Sequence, residues 1–294
     1  MRNCNNEVMT LKQIKRAIMI DTPKLGISYF HYTDTPGFLS MVKNGLLYLS
    51  RVDCLNDGNE DFLASKRFYV GCFSTSIGES VALWAIYGNG RSDALRLRFS
   101  GRTLADLFGG RNKRIEIFEV TDSGRGRKLG MAKVLLSYVA YASRTYPTFA
   151  VRNRRMTLER LKDVPRGALD QFWWKELSPF AKLNSWEYER EVRLVVEVEK
   201  ELDCKKIAID FARPLEELLE YNPKTKRRHL TSVLMGPWSS QEDCSTLSRD
   251  VVTMPSCPTL CRGTSNFLTE QVGVSELAGK IRLRMFGSKK QTGN

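Results

Sequence analysis

Apolar and polar residues alternate along a late segment of the chain, and this pattern predicts a strand at about 188–199. Successive side chains of a strand point to opposite faces. One face then carries the apolar and aromatic residues Trp186, Tyr188, Val192, Leu194, Val196 and Val198. The opposite face carries Glu189, Glu191 and Arg193. Packing does not require two carboxylates and a guanidinium at the start of an apolar strand, but a site that handles a developing positive charge does.

The same patterns predict strands and helices over the whole length. Further strands are expected at 27–32, 46–49, 69–73, 95–99, 114–120, 206–211 and 230–235. Helices are expected at 8–19, 80–87, 129–142, 156–177, 214–221 and 240–249, with a turn at 56–59. Another helix is expected to begin at a cap on Thr33 or Asp34, with Pro36 in its first turn and Gly45 just past its end. Because strands and helices do not alternate regularly, the pattern favours an α+β fold with one main domain of mixed sheets and peripheral helices.

Length and hydropathy set the expected organisation of the chain. With 294 residues, 42% of them hydrophobic, it can bury a substantial core. We expect an N-terminal helical extension at 1–24, a main domain at 25–250 and a C-terminal extension at 251–294 with a disordered end. No apolar run approaches the ~18–20 residues that span a bilayer. The first ten residues lack a secretory signal pattern, so a cytoplasmic protein without membrane contact is expected.

Cysteine and histidine usage argues against a structural metal or a disulfide framework. The chain has seven cysteines and two histidines. An odd number of cysteines does not fit a closed set of disulfides. Cys244, Cys257 and Cys261 lack the paired spacing and the histidines of a common zinc site. We therefore expect free thiols in a reducing compartment and no bound metal.

Positive charge is the second global feature. The net charge is +13, and the excess is clustered at 111–114, 125–128, 152–155 and 224–228. Such clusters attract DNA, RNA or the phosphates of a dinucleotide, but they also occur as solvated surface. No aromatic residues interleave them, and no helix-turn-helix, zinc-finger or RNP signature is present. Both interpretations stay open at this point.

A few residues outside the acidic strand have side chains suited to ligand binding. His31 ends an early strand beside a capped helix, where it suits a ligand or merely satisfies a backbone carbonyl. Tyr32, Tyr48 and Tyr87 suit a flat electron-poor ring, although isolated aromatic residues more often belong to the core. For the acidic pair, the alternative is a solvated strand face on which Arg193 neutralises one carboxylate.

Short motifs with these residues follow one another in a recognisable order. They are Tyr29-Phe30-His31-Tyr32-Thr33, Gly45-Leu46-Leu47-Tyr48-Leu49-Ser50, Asn56-Asp57, Cys72-Phe73-Ser74, Leu83-Trp84-Ala85-Ile86-Tyr87-Gly88, Trp186-Glu187-Tyr188-Glu189-Arg190-Glu191-Val192-Arg193 and Leu234-Met235-Gly236-Pro237. The ordered set resembles the bacterial and phage domain-of-unknown-function family two-nine-seven-one over about residues 27–250. The family pattern in turn resembles the His-Tyr-Glu arrangement of ADP-ribosyltransferase folds.

The second resemblance implies a split sheet, NAD as substrate and a role for each candidate residue. His31 would hydrogen-bond a ribose of NAD, and Tyr48 or Tyr87 would bracket the nicotinamide. Glu191 would hold the 2′-hydroxyl of the reacting ribose, and Glu189 would orient or deprotonate the acceptor.

Two parts of the cofactor site are not assigned uniquely by the motifs. Tyr32 lies next to His31 and joins the expected cofactor-binding residues, while Tyr48, Tyr69 and Tyr87 all compete for the second motif. Arg193 is the expected cofactor-binding arginine, although Arg51 and Arg91 are also available for the phosphates.

These resemblances and residues support two hypotheses of different class. The first is an NAD-consuming ADP-ribosyltransferase, or an NAD glycohydrolase, that modifies nucleic acid or a host protein in phage–bacterium conflict. Its oxocarbenium-like transition state needs a fixed carboxylate and no metal. On this hypothesis, Glu191→Gln stops nicotinamide release and leaves the fold intact. The second is a non-catalytic basic module that binds nucleic acid or a host protein.

Overall fold

The computed structural model describes residues 7–20, 23–24, 26–55, 66–88, 93–109, 113–121, 124–142, 148–151, 154–158, 177, 179–210, 230–252 and 272–275. Helices in these ranges are α1 (Leu11–Ile18), α2 (Thr35–Asn44), α3 (Val81–Gly88), α4 (Gly101–Phe108) and α5 (Gln241–Val252). The strands of the first half are β1 (Glu7–Met9), β2 (Ser28–Asp34), β3 (Leu46–Arg51), β4 (Phe68–Ser74), β5 (Ala94–Ser100), β6 (Arg114–Thr121) and β7 (Gly124–Tyr138). Those of the second half are β8 (Ala140–Ala142), β9 (Thr148–Val151), β10 (Arg154–Leu158), β11 (Ala181–Leu183), β12 (Glu191–Glu197), β13 (Lys206–Asp210), β14 (Leu230–Met235) and β15 (Val272–Val274). The predicted α+β class with one sheet-dominated domain is confirmed.

Six antiparallel strands close into a ring at the centre of the molecule. The order is β4, β12, β7, β6, β13 and β3, and β3 pairs back with β4. Closure leaves these strands without a free edge. Apolar side chains such as Leu49, Tyr69, Leu194 and Ile207 are fully buried in the main core of this ring. Strands β2, β5, β14 and β15 continue the sheet outward from β4.

The sheet splits along one edge of β4. Its opposite edge pairs with β12 from Phe68 to Ser74. On the split edge, β3 pairs with β4 at Tyr69 and Val70, whereas β2 pairs with it at Ser74. The strands β2 and β3 therefore leave β4 near different ends, and a gap opens between them. This is the split sheet that the resemblance implies.

Helix α2 bridges the two strands that flank the gap, and local signals fix its ends. The Asp34 carboxylate accepts a hydrogen bond from the Gly37 amide at 2.8 Å. Gly45 closes the helix in the left-handed conformation, with φ 62°, and donates to the Met41 carbonyl. The predicted cap, first-turn proline and terminal glycine of this helix are confirmed.

A second layer covers the outer face of β12. Strands β1, β10, β9, β8 and β11 form a separate sheet, and α1 packs with it. Ile14 and Ile18 of α1 share a buried cluster with Val195 of β12. Because both faces of β12 are covered, every residue of this strand from 191 to 196 is buried.

One predicted element is wrong, and two others differ from the structure at their described ends. Residues 129–142 form the strands β7 and β8 instead of a helix, because pairing with β6 and β12 outweighs local preference. Where a helix at 156–177 was expected, residues 156–158 belong to strand β10. Residues 159–176 lie outside the described ranges. The strand at 188–199 begins only at Glu191, since Asn184–Glu189 is a short 3-10 helix. The alternation assigned to Trp186 and Tyr188 therefore does not hold.

The expected turn at 56–59 and helix at 214–221 lie outside the described ranges. Within those ranges, no helix is long and apolar enough to cross a membrane.

Candidate active site

A cavity of about 480 Å³ lies at the split between β2 and β3. Its walls come from β2, α2, β3, β4, α3 and the segment that enters β12. Six of the predicted site residues line it, namely His31, Tyr32, Tyr48, Tyr87, Glu189 and Glu191. An imidazole from an early strand and two acids from a late segment, one in a 3-10 helix and one on β12, thus share one pocket.

A backbone carbonyl at the split fixes the tautomer of His31. Its Nδ1 lies 2.9 Å from the Cys72 carbonyl, in the part of β4 that neither β2 nor β3 pairs with. A carbonyl only accepts hydrogen bonds, so Nδ1 carries the proton and Nε2 keeps a lone pair. Burial lowers the pKa of His31 and outweighs the opposing effect of the Cys72 carbonyl. The ring is therefore neutral at pH 7 and offers an acceptor to a ligand hydroxyl.

The three tyrosines differ in how they are held. Tyr32 is 9% exposed, with its ring edge-on to Trp84 at 5.0 Å and stacked with Tyr87 at 6.1 Å. The Tyr48 hydroxyl lies 2.7 Å from Ser40 Oγ. Burial, followed by the charges of Cys72, Glu191 and Glu189, raises the pKa of Tyr87 well above its ordinary value. Burial is the largest cause, and Tyr87 is the ring of the three whose pKa shift also includes contributions from both acids.

Four buried charged side chains lie together beside the cavity and are here called the charge quartet. They are Lys182, Glu189, Glu191 and Arg193. Lys182 Nζ lies 2.7 Å from Glu189 Oε2 and 3.0 Å from Glu191 Oε2. Arg193 Nε donates to Glu191 Oε1 at 2.8 Å. The two acids are only 2% and 3% exposed, so the alternative of a solvated acidic face is wrong.

The two carboxylates of the quartet have opposite pKa shifts. Burial raises the pKa of Glu191, but the charges of Arg193 and Lys182 outweigh burial and hold this pKa far below its ordinary range. Burial and the charge of Glu191 raise the pKa of Glu189 to about 7, although Lys182 opposes the shift. Glu191 is therefore a fixed anion, whereas Glu189 gains or loses a proton near neutral pH.

One oxygen of Glu189 has no partner among the described residues. Its Oε2 accepts from Lys182, but the buried Oε1 has no hydrogen bond. A buried carboxylate oxygen without a partner is costly, and such atoms concentrate where a ligand or water supplies the missing bond. Because Glu189 lines the cavity, a bound molecule can supply it.

Arg193 does not line the cavity, contrary to its predicted role in cofactor binding. Its side chain is fully buried, donating to Glu191 and, through Nη1, to the Pro179 carbonyl at 2.6 Å. A guanidinium committed to these partners behind the carboxylate cannot reach a phosphate in the cavity. Arg193 instead orients and ionises Glu191.

Sequence reasoning missed Lys182 and Cys72. Lys182 lies in the three-residue strand β11, too short for a periodic signal. Burial, followed by the charge of Glu191, raises the pKa of the Cys72 thiol well above its ordinary value. Cys72 sits in the motif Cys72-Phe73-Ser74, but nothing in its spacing shows that it faces an acid 119 positions later.

The basic cluster at 125–128 lies wholly in the described residues, at the start of β7. Arg127 and Lys128 form ion pairs with Glu119 and Glu116 of the neighbouring strand β6. The Arg125 guanidinium lies 3.7 Å from the centre of the Phe118 ring. Part of this positive charge is therefore neutralised within the hairpin.

Free thiols are found at Cys54, Cys72, Cys204 and Cys244. In the part of the chain that the structure describes, no group of three or more His, Cys, Asp or Glu side chains could hold a metal ion.

No family model matches the sequence, and no curated protein is similar to it. The predicted membership of family two-nine-seven-one therefore has no support from the family models. A structure of DarT from Thermus sp. 2.9, in complex with ADP-ribosylated ssDNA, is similar over 86% of this chain and 96% of that chain, with 10% identity and a TM-score of 0.34. A likeness this remote assigns neither an activity nor a substrate to this chain.

The raised pKa of Glu189 predicts a pH dependence of stability. In the unfolded chain a glutamate has a pKa near ~4.3, so between that value and about 7 the native state holds a proton that the unfolded chain has lost. Rising pH through this window therefore destabilises the fold.

We expect Glu189→Gln to abolish this contribution. The unfolding free energy of the wild type relative to the variant falls by up to about 3 kcal/mol from pH 5 to pH 8. Urea denaturation at the two pH values measures it. Parallel pH profiles for the two proteins would show that Glu189 titrates normally.

Proposed function

We propose that this protein cleaves the bond between nicotinamide and ribose in NAD and transfers the ADP-ribose to an acceptor or to water. The observation that carries the proposal is the shared cavity of about 480 Å³, which joins His31, the tyrosines and the two acids at the split in the sheet. The imidazole, the aromatic rings and the carboxylates suit three tasks of the reaction. They clamp a ribose, hold a flat ring and stabilise a developing positive charge.

Glu191 is the proposed catalytic carboxylate. Its ionised state and its fixed orientation come from Arg193 and Lys182. Each carboxylate oxygen has two lone pairs, so the ion pairs leave acceptor capacity for the 2′-hydroxyl of the reacting ribose. A carboxylate preorganised beside C1′ stabilises the oxocarbenium-like transition state as positive charge develops there.

Glu189 is the proposed base for the acceptor. The acceptor oxygen or nitrogen attacks C1′, the bond from C1′ to the nicotinamide nitrogen breaks, and its electron pair neutralises the pyridinium. The acceptor proton passes to Glu189, whose unpartnered Oε1 can receive it. A base with a pKa near the working pH is suited to such a transfer.

Tyr87 is the proposed partner of the nicotinamide ring. The nicotinamide is attached to the reacting ribose, so its stacking partner must lie close to the acids. The charges of Glu189 and Glu191 act on Tyr87, whereas the Tyr48 hydroxyl is engaged with Ser40 of α2. His31 and Tyr48 then suit the rest of the dinucleotide.

The proposed ring assignment gives a prediction for two variants. Tyr87→Ala removes a stacking face and is expected to raise the KM for NAD about ten-fold. Tyr48→Ala also removes a ring and is expected to raise KM less than three-fold, because this ring does not stack on the nicotinamide. Initial rates of nicotinamide release at a series of NAD concentrations measure both. An equal KM effect in both variants would contradict the assignment.

The activity itself is tested with purified wild-type protein and NAD. Protein, DNA and RNA are supplied as acceptors in separate reactions, and nicotinamide release is followed by chromatography. We expect nicotinamide to be released in at least one of these reactions, or with water as the acceptor. No release under any of these conditions, together with a salt-dependent gel shift on nucleic acid, would favour a non-catalytic nucleic-acid module instead.

A further inference from the structure

A second cavity, of about 670 Å³, adjoins the same turn of chain that carries the acids. Within the segment 187–191, Glu189 lines the first cavity, Tyr188 and Arg190 line the second, and Glu191 lines both. The two cavities are thus neighbours that share a wall.

Two exposed arginines, Arg98 and Arg190, line the second cavity together with the carboxylates of Glu187 and Glu191. The charge of Glu191 is already paired with Lys182 and Arg193. Arg98 projects from β5, and its Nε donates to Ser28 Oγ at 2.9 Å. Arg190 forms no ion pair with any residue in the described ranges. A guanidinium binds two phosphate oxygens at once, so arginines in the lining of a cavity suit a phosphate group.

Arg190 is also the non-glycine residue with a positive φ, 45°, in the described part of the chain. Its carbonyl accepts from both the amide and the hydroxyl of Thr75, at 3.1 and 3.0 Å. Such a conformation costs about 1–3 kcal/mol and is retained where the surroundings impose it, typically at ligand sites. Since the side chain is exposed, packing does not account for the identity of this residue.

Apolar surface completes the second cavity. Ile77 is 83% exposed and Tyr188 is 41% exposed, although both are large apolar side chains. Tyr141 lines the same cavity, and its hydroxyl accepts a hydrogen bond from the Glu191 amide at 2.6 Å. An exposed ring in a cavity that also holds arginines offers stacking and charge together, the combination that binds a nucleotide base with its phosphate.

We propose that the second cavity binds a nucleotide, with its base against Tyr188 and its phosphate on Arg98 and Arg190. An acidic peptide would use the arginines but leave the tyrosine face without a planar partner. This binding does not require NAD cleavage.

Equilibrium binding to the full chain without NAD tests the proposal. The probes are adenosine monophosphate and a single strand of five deoxynucleotides, and calorimetry measures each Kd. Arg98→Gln, Arg190→Asn and Tyr188→Ala are each expected to weaken binding about ten-fold. Asparagine tolerates a positive φ, so Arg190→Asn removes the charge without new strain. Arg67→Gln is the control, because it removes a partly buried arginine at the other end of β4 and β12, outside the lining of the second cavity.

Binding of both probes supports a site for any nucleotide, and binding of the strand alone supports a site for a nucleotide within a strand. Failure of both probes to bind the wild type overturns the proposal, as does binding that is the same in all four variants. Because the binding experiment contains no NAD, its result does not depend on whether the protein cleaves NAD. Failure of the nucleotide site and failure of the proposed function can therefore be told apart.

Discussion

Glu191→Gln is expected to lower kcat for nicotinamide release by about 10²–10³-fold, or roughly 3–4 kcal/mol of transition-state stabilisation. Glutamine keeps the size of the side chain and removes the charge that opposes the oxocarbenium-like cation. KM for NAD is expected to change far less, because the transition state carries more positive charge on the ribose than the bound substrate does. Initial-rate measurements separate the two constants.

The charge quartet alters one expectation for this variant. From the sequence, Glu191→Gln leaves the fold intact. In the structure, the lost carboxylate is a partner of both Arg193 and Lys182, at 2.8 and 3.0 Å. Removing one member of a buried ion pair leaves a charge without its counter-ion and typically costs about 3–5 kcal/mol. A loss of activity in the single variant alone would therefore be ambiguous.

The double variant Glu191→Gln/Arg193→Met resolves the ambiguity. It removes one anion and one cation, and it leaves Lys182 paired with Glu189 at 2.7 Å. We expect this protein to be folded, as judged by circular dichroism and urea denaturation, and still inactive. Restored nicotinamide release in a folded double variant would exclude Glu191 as the catalytic carboxylate.

Local signals in the sequence predicted the frame around the site, whereas long-range contacts determined its details. Helix α2 was predictable because Asp34, Pro36 and Gly45 act within a few residues of one another. The strand β7 was not, because the residues from 129 onward carry apolar side chains compatible with either period. Only their pairing with β6 and β12, which the sequence does not display, selects a strand.

The acidic pair shows the same limit at the scale of single side chains. The spacing of Glu189, Glu191 and Arg193 was visible, and so was an ion pair between the last two. That this ion pair is buried depends on the second sheet, which covers the outer face of β12. Lys182 joins the quartet only because β11 pairs with β8 beside it. Because Arg193 is buried, it orients the Glu191 carboxylate and does not bind a phosphate as predicted.

Arg193→Met is expected to have the largest effect on stability, a loss of about 3–5 kcal/mol in the free energy of unfolding. The guanidinium is fully buried and bonds both to Glu191 and to the Pro179 carbonyl, so its removal leaves two buried acceptors short of donors. Arg193→Met leaves two buried carboxylates with Lys182 as their cation. Adding Glu191→Gln removes the excess negative charge, and the double variant is expected to be more stable than Arg193→Met alone. The double-mutant cycle isolates this coupling, which we expect to exceed about 1 kcal/mol. Additive effects in urea denaturation at pH 7 would mean that the two side chains do not depend on each other, and Arg193 would then have no part in holding Glu191 ionised.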